Sequence, residues 1–168
     1  MKKVIQFLNE NAEKIICVIC LSTMSVLIVV QVFFRYVLQN SISWSEEIAR
    51  YLFIWLIYIG ISYGVKEDKH IAVEAIANML PEKGQKVFAI ISDILFLFFA
   101  VLVLFYGTQV VGMIAKSGQL SPASHIPMQL IYAAPVIGFA LVVIRLIQNI
   151  GKAVRSLREP ARNEKEGA

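Results

Sequence analysis

Four stretches of this chain are almost continuously apolar: Ile15 to Leu38, Ile48 to Val65, Val87 to Ala115 and Pro127 to Asn149. About 20 such residues suffice for a helix to cross ~30 Å of hydrocarbon. The pattern therefore predicts four transmembrane helices, and no soluble fold accounts for it. A different pattern runs from His70 to Leu80, where Ile71, Ala72, Ile76, Met79 and Leu80 alternate with Glu74 and Asn78 before Pro81. That near-helical spacing predicts an amphipathic interfacial helix between helices two and three, lying on the membrane surface or bracing a neighbouring subunit. The reading is of an all-α membrane protein, a single integral domain over residues 1–168 that ends in a basic tail over 150–168.

Composition narrows the function classes. Hydrophobic residues make up 58% of the chain and charged residues 17%, against about 45–50% and about 25% in globular domains. The four helices use most of the 168 residues, which leaves no room for a soluble catalytic domain. Lys2 and Lys3 precede the first apolar run as in a secretory signal, but polar residues intervene and no small-residue cleavage pattern follows, so that helix is expected to be retained.

Short cytoplasmic loops accumulate lysine and arginine. Lys2, Lys3 and Lys14 precede helix one, Lys66, Lys69, Lys83 and Lys86 lie between helices two and three, and Lys152, Arg155, Arg158, Arg162 and Lys165 follow helix four. The other two loops contain only Lys116. Both termini are therefore expected in the cytoplasm, with the loops at 39–47 and 116–126 outside. The formal charge of +4 then favours anionic lipid headgroups and gives no argument for nucleic acid.

Charged residues crowd the outer end of the first hairpin. Gln31, Arg35 and Tyr36 close one apolar run, and Trp44, Glu46, Glu47 and Arg50 open the next. Ser43 with Glu46 reads as a capping box that starts helix two at Ser43. Arg50 stands one turn from both glutamates, and Trp44 suits the interfacial aromatic belt. One shared Arg–Glu–Glu–Arg network clasping helix one to helix two is expected; an ion path is the sharper alternative, disfavoured because the residues cluster at one interface.

Deeper in the membrane, Asp93 and Arg145 stand at matched depth from the cytoplasmic face and are expected to pair. Gly60 with Gly64 and Ala134 with Gly138 are small-xxx-small spacings that let backbones approach, toward their own bundle or toward a partner. Pro135 is expected to kink helix four. Cys17 and Cys20 form a C-x-x-C that reads as packing residues, since no second pair or nearby histidine accompanies it. His70 and His125 both fall in loops, which removes the intramembrane ligands a haem bundle needs. The sequence has no zincin, nucleophile-elbow or P-loop motif, so no catalytic residue, cofactor or metal is assigned. With no internal repeat and a midplane of Leu, Ile, Val and Phe, the chain reads as a supporting subunit rather than a transporter acting alone.

Arg35-Tyr36, Trp44-Ser45-Glu46-Glu47, Arg50-Tyr51, Trp55, Gly60, His70-Ile71-Ala72-Val73, Ile126-Pro127, Tyr132 and Pro135 occur in an order that resembles the small membrane subunit (DctQ-like, or Q, subunit) of tripartite ATP-independent periplasmic (TRAP) transporters. The likeness runs from about Gln31 to Arg145. It implies a bacterial inner-membrane protein that scaffolds a large elevator-type subunit and helps dock a periplasmic substrate-binding protein transiently. It further implies sodium-coupled import of organic acids of the dicarboxylate, keto acid or sialic acid class. Two readings from other classes stand beside it. A small homodimeric exporter would use Asp93 as its membrane carboxylate, and a membrane anchor of a redox complex would need ligands that these helices lack. Purification separates them: a larger membrane partner, a self-dimer or a soluble catalytic partner.

Overall fold

A computed structural model describes residues 2–40, 42–67 and 82–158. These residues form four helices, α1 (Lys2–Tyr36), α2 (Ser43–Lys66), α3 (Glu82–Ser117) and α4 (Gln129–Arg158). Each contains a segment long and apolar enough to cross a membrane: Asn11–Tyr36, Ser43–Lys66, Val87–Ser117 and Gln129–Gly151. The chain is thus an all-helical, multi-pass membrane protein. The amphipathic helix expected at 70–80 falls outside the described residues.

The helices overrun the apolar stretches that define them. The 35 residues of α1 extend about 52 Å at roughly 1.5 Å per residue, well beyond the hydrocarbon. Lys, Gln, Glu, Leu and Ala are strong helix formers, so the polar residues ahead of Ile15 continue the helix instead of ending it. The basic tail expected from residue 150 is likewise helical up to Arg158.

Backbone packing joins α1 to α2, α2 to α4, and α4 to α3, and no other pair of these helices meets closely. The molecule is therefore two antiparallel hairpins, α1/α2 and α3/α4, abutting through α2 and α4. Those two run parallel: Gly138 lies against Tyr58, and farther along the Asn149 amide reaches the Val65 carbonyl at 2.8 Å. Burial concentrates accordingly. Val65 of α2, Ala100 of α3 and Phe139, Val142 and Leu146 of α4 form the core, with Tyr58, Phe96 and Leu104 packed around it. Phe139 is the aromatic centre, edge-on to Phe99 at 5.8 Å and tilted against Tyr58 at 6.1 Å.

Lipid tails are as apolar as leucine, so helices in a bilayer gain mainly from close backbone approach and polar contacts. Ala134 and Gly138 make that approach. Ala134 is fully buried, and a Cβ added to Gly138 would stand 2.7 Å from the Tyr58 carbonyl oxygen and 2.9 Å from its carbonyl carbon. The motif on α4 thus faces its own bundle. Gly60 and Gly64 do not: nothing lies within 4 Å of a Cβ built on either. The helix runs on through Pro135.

Gly138→Ala should therefore destabilise the protein by roughly 1–3 kcal/mol, the range for overpacking a tight contact. Gly60→Ala should leave it unchanged or slightly more stable, because alanine favours the helix and meets no neighbour. Thermal unfolding of both variants in one detergent checks this, and equal losses would show that the α2–α4 approach is no tighter than the open face.

Candidate functional site: two polar junctions

Polar side chains gather at the two ends of the bundle. At one end α1 meets α2 through Ser45, whose hydroxyl donates to the Leu27 carbonyl at 3.3 Å, and through Gln31, whose amide donates to Glu46 at 3.1 Å. Arg50 adds a 3.8 Å ion pair to Glu46, with both side chains well exposed. Tyr36 and Trp44 are exposed, as interfacial aromatics are.

Glu47 turns the other way. It is buried, accepts the Tyr51 hydroxyl at 2.5 Å, and receives the backbone N–H groups of Ala123 and Ser124 at 3.1 and 2.7 Å. An ionised carboxylate only accepts hydrogen bonds, and here three donors converge on it. Those two amides belong to the loop between α3 and α4, a tight hairpin closed by Ser121 N–H to Ile126 O and Met128 N–H to Gln119 O, both 2.9 Å. Its turn is held inside by the Ser121 and Ser124 hydroxyls, 2.7 Å apart. His125 within it has a positive φ of 55°, a conformation few non-glycine residues adopt, histidine more often than most.

The single four-charge clasp expected from the sequence therefore divides. Gln31 and Glu46 join α1 to α2, with Arg50 pairing to Glu46 within α2, while Glu47 pins the second outer loop to α2. Arg35 is exposed and makes no ion pair with the described residues. The expected capping box is also absent: α2 does begin at Ser43, but Ile42 occupies the N-cap and no side chain caps it. The physical reason is register: with Ser43 already helical, the N-cap position falls on Ile42, whose side chain has no acceptor.

The opposite end holds a junction that sequence reasoning missed. Glu13 of α1 is almost completely buried, 3% exposed. One of its oxygens accepts Arg145 Nε of α4 at 2.9 Å and the Ser62 hydroxyl of α2 at 3.1 Å. The other, Oε2, lies 3.7 Å from Lys66 Nζ and has no hydrogen-bond partner. Arg145 also donates from Nη1 to Gln148 at 3.1 Å. Two partners of Arg145 are thus Glu13 and Gln148, and Asp93, expected to pair with it, is half-buried on α3. The rule that suggested Asp93 could have found Glu13. It lies at the start of an apolar run, Lys66 closes the next, and antiparallel helices bring those ends to one depth.

Cys20 is buried and Cys17 half-buried, both as free thiols, and among the described residues no group of three or more His, Cys, Asp or Glu side chains could hold a metal ion. What these junctions do chemically is lock helices to one another. They define a polytopic membrane protein whose polar groups serve assembly. The family is shown by comparison: the chain belongs to the family described as tripartite ATP-independent periplasmic transporters, DctQ component, whose model matches residues 24–156. A Haemophilus influenzae protein named as a TRAP transporter small permease is 34% identical over 154 residues, covering 89% of this chain and 94% of the relative. The isethionate TRAP transporter permease protein DctMQ of Oleidesulfovibrio alaskensis is 30% identical over 90% of this chain, which spans only 25% of that longer polypeptide. The ectoine TRAP transporter small permease protein TeaB of Halomonas elongata is 27% identical over 91% of this chain and 78% of its own length. Members of this family are transport components, not enzymes.

Two predictions follow from the junctions. Glu13→Ala removes the buried carboxylate that Arg145 Nε donates to, which should cost about 3–5 kcal/mol, and adding Arg145→Ala should recover part of that loss; additive losses in a thermal double-mutant cycle would show no coupling. Glu47→Ala should speed amide hydrogen exchange at Ala123 and Ser124, whereas Glu46→Ala should leave those amides unchanged. It should cost no more than ~1 kcal/mol, as exposed pairs do.

Proposed function

We propose that this chain is the non-catalytic small membrane subunit of a sodium-coupled TRAP transporter that imports an organic acid across a bacterial inner membrane. In this reading it scaffolds a large elevator-type subunit and helps dock a periplasmic substrate-binding protein, with both termini cytoplasmic. The observation that carries the scaffolding role is the distribution of polar groups. The buried ones gather at the two ends, Glu13, Ser62, Arg145 and Asn149 at one and Ser45, Glu47 and Ser121 at the other, while the membrane-spanning faces of α1 and α3 present large apolar side chains such as Ile19, Val29, Phe98 and Phe105 outward. A membrane partner and lipids suit such flanks. The longer relative supports a permanent partner, because its name joins DctM to DctQ and a chain like this one spans a quarter of it.

Lysine and arginine favour placing the Glu13 junction at the cytoplasmic face, against anionic headgroups, and the Glu47 junction outside. The outer surface offered to a binding protein is then Trp44, Glu46, Arg50 and the loop that Glu47 holds. Substrate choice belongs to the partners in this reading. The relatives' names specify isethionate and ectoine, chemically unlike molecules, for chains similarly close to this one.

Reconstitution tests the proposal. The purified chain alone in liposomes should move no organic acid, while the chain with its large subunit and binding protein should support uptake that depends on a sodium gradient. Uptake by the small subunit alone would overturn the reading.

A further inference from the structure

The face of α3 turned away from α4 carries an amide that no described residue of the bundle satisfies. Leu95, Phe98, Leu102, Tyr106, Gln109 and Met113 recur at helical spacing and are all exposed, Leu95 and Phe98 by about two-thirds (65% and 66%), while Ala100 and Gly107 on the other side meet the core. Gln109 lies on this outward stripe and makes no hydrogen bond with the described residues, whereas neighbouring Thr108 satisfies its hydroxyl on the Phe105 carbonyl at 2.9 Å.

The depth of Gln109 follows from the packing contacts. Gly107 lies against Val136, and Gly138 lies against Tyr58. Because α3 is antiparallel to α4 and α4 is parallel to α2, Gln109 is level with Ala134 and with Ile54. Ile54 lies about two helical turns inward of Glu47, inside the apolar length of α2. Gln109 therefore meets hydrocarbon, where water cannot satisfy its amide and a facing side chain or backbone carbonyl can. One turn along, Gly112 has nothing within 4 Å of a Cβ built upon it, so a second helix could approach closely there.

We propose that the Gln109–Gly112 face of α3 is the docking surface for a transmembrane helix of the large subunit, one that offers Gln109 a hydrogen-bonding side chain and crosses α3 at Gly112. The inference rests on the large-subunit partnership proposed above and assigns it a surface. Lipid could cover Leu95 and Phe98 equally well but offers Gln109 no partner at that depth. The unpartnered amide therefore favours a protein helix.

The test is co-purification of the complex from cells expressing both membrane subunits, with Gln109→Leu and Gly112→Leu beside the wild type. The inference expects the wild type to retain the large subunit stoichiometrically, and each variant to lose at least half of it while unfolding no earlier than wild type when purified alone. A photo-crosslinking residue at position 109 should attach to a transmembrane segment of the large subunit. Full retention by both variants, or crosslinks only to lipid or to a second copy of this chain, would overturn the α3 surface while leaving the partnership intact. Failure of the wild type to retain any large subunit would overturn the partnership itself.

Discussion

A carboxylate withdrawn from water at the meeting point of three helices governs the arrangement of this protein. Glu13 binds Arg145 and Ser62 through one oxygen and stands near Lys66 with the other. The α1 and α4 backbones do not approach each other, so this side-chain bridge is what relates them across α2. In a bilayer, where apolar surface gives no drive toward helix association, such a contact sets register and rotation more than it adds stability. With Glu13 fixed, Lys66 and Arg145 are held at one level and the helices must leave that level at compatible angles.

The other end achieves the same result by different means. There the backbone supplies the donors: Ala123 and Ser124 present their N–H groups to Glu47, and a loop with no helix of its own becomes part of the bundle's top. Between the two junctions, contact depends on shape. Gly138 against Tyr58 and Gly107 against Val136 bring α4 close to both neighbours, and Phe139 fills the space that remains. Polar ends and a small-residue middle divide the work according to where water can and cannot reach.

Much of this was legible from the chain. Four apolar runs announced four helices, because hydrocarbon thickness is a hard constraint on length. Gln31 and Glu46 meet across the first hairpin, since helix ends on either side of a short loop have few other options. Pairing between residues distant in sequence was harder to read. Depth matching points from Arg145 to Asp93 and leaves Glu13 unnamed, because depth is one coordinate of three and a long side chain can reach past a neighbouring helix to one whose backbone is not adjacent. Glu13 was overlooked because it sits beside lysines in what resembles a solvated leader. The start of α1 and the end of α4 run past the apolar stretches for a related reason: polarity marks where the membrane stops, whereas the backbone hydrogen bonds of those helices continue past it.

The lateral order α1, α2, α4, α3 differs from the order of synthesis, and that difference bears on how the chain enters the bilayer. As α2 emerges, α1 is already present to receive it, and α2 is the least apolar of the four spans, with a mean hydropathy of 1.6. The next helix has no such reception, because among the described helices α3 packs on α4 alone, which has not yet been made. It must wait in lipid on its own merits, and its span has the highest mean hydropathy of the four, 2.9. For α2 and α3, mean hydropathy thus follows whether a packing neighbour is already present when the helix emerges.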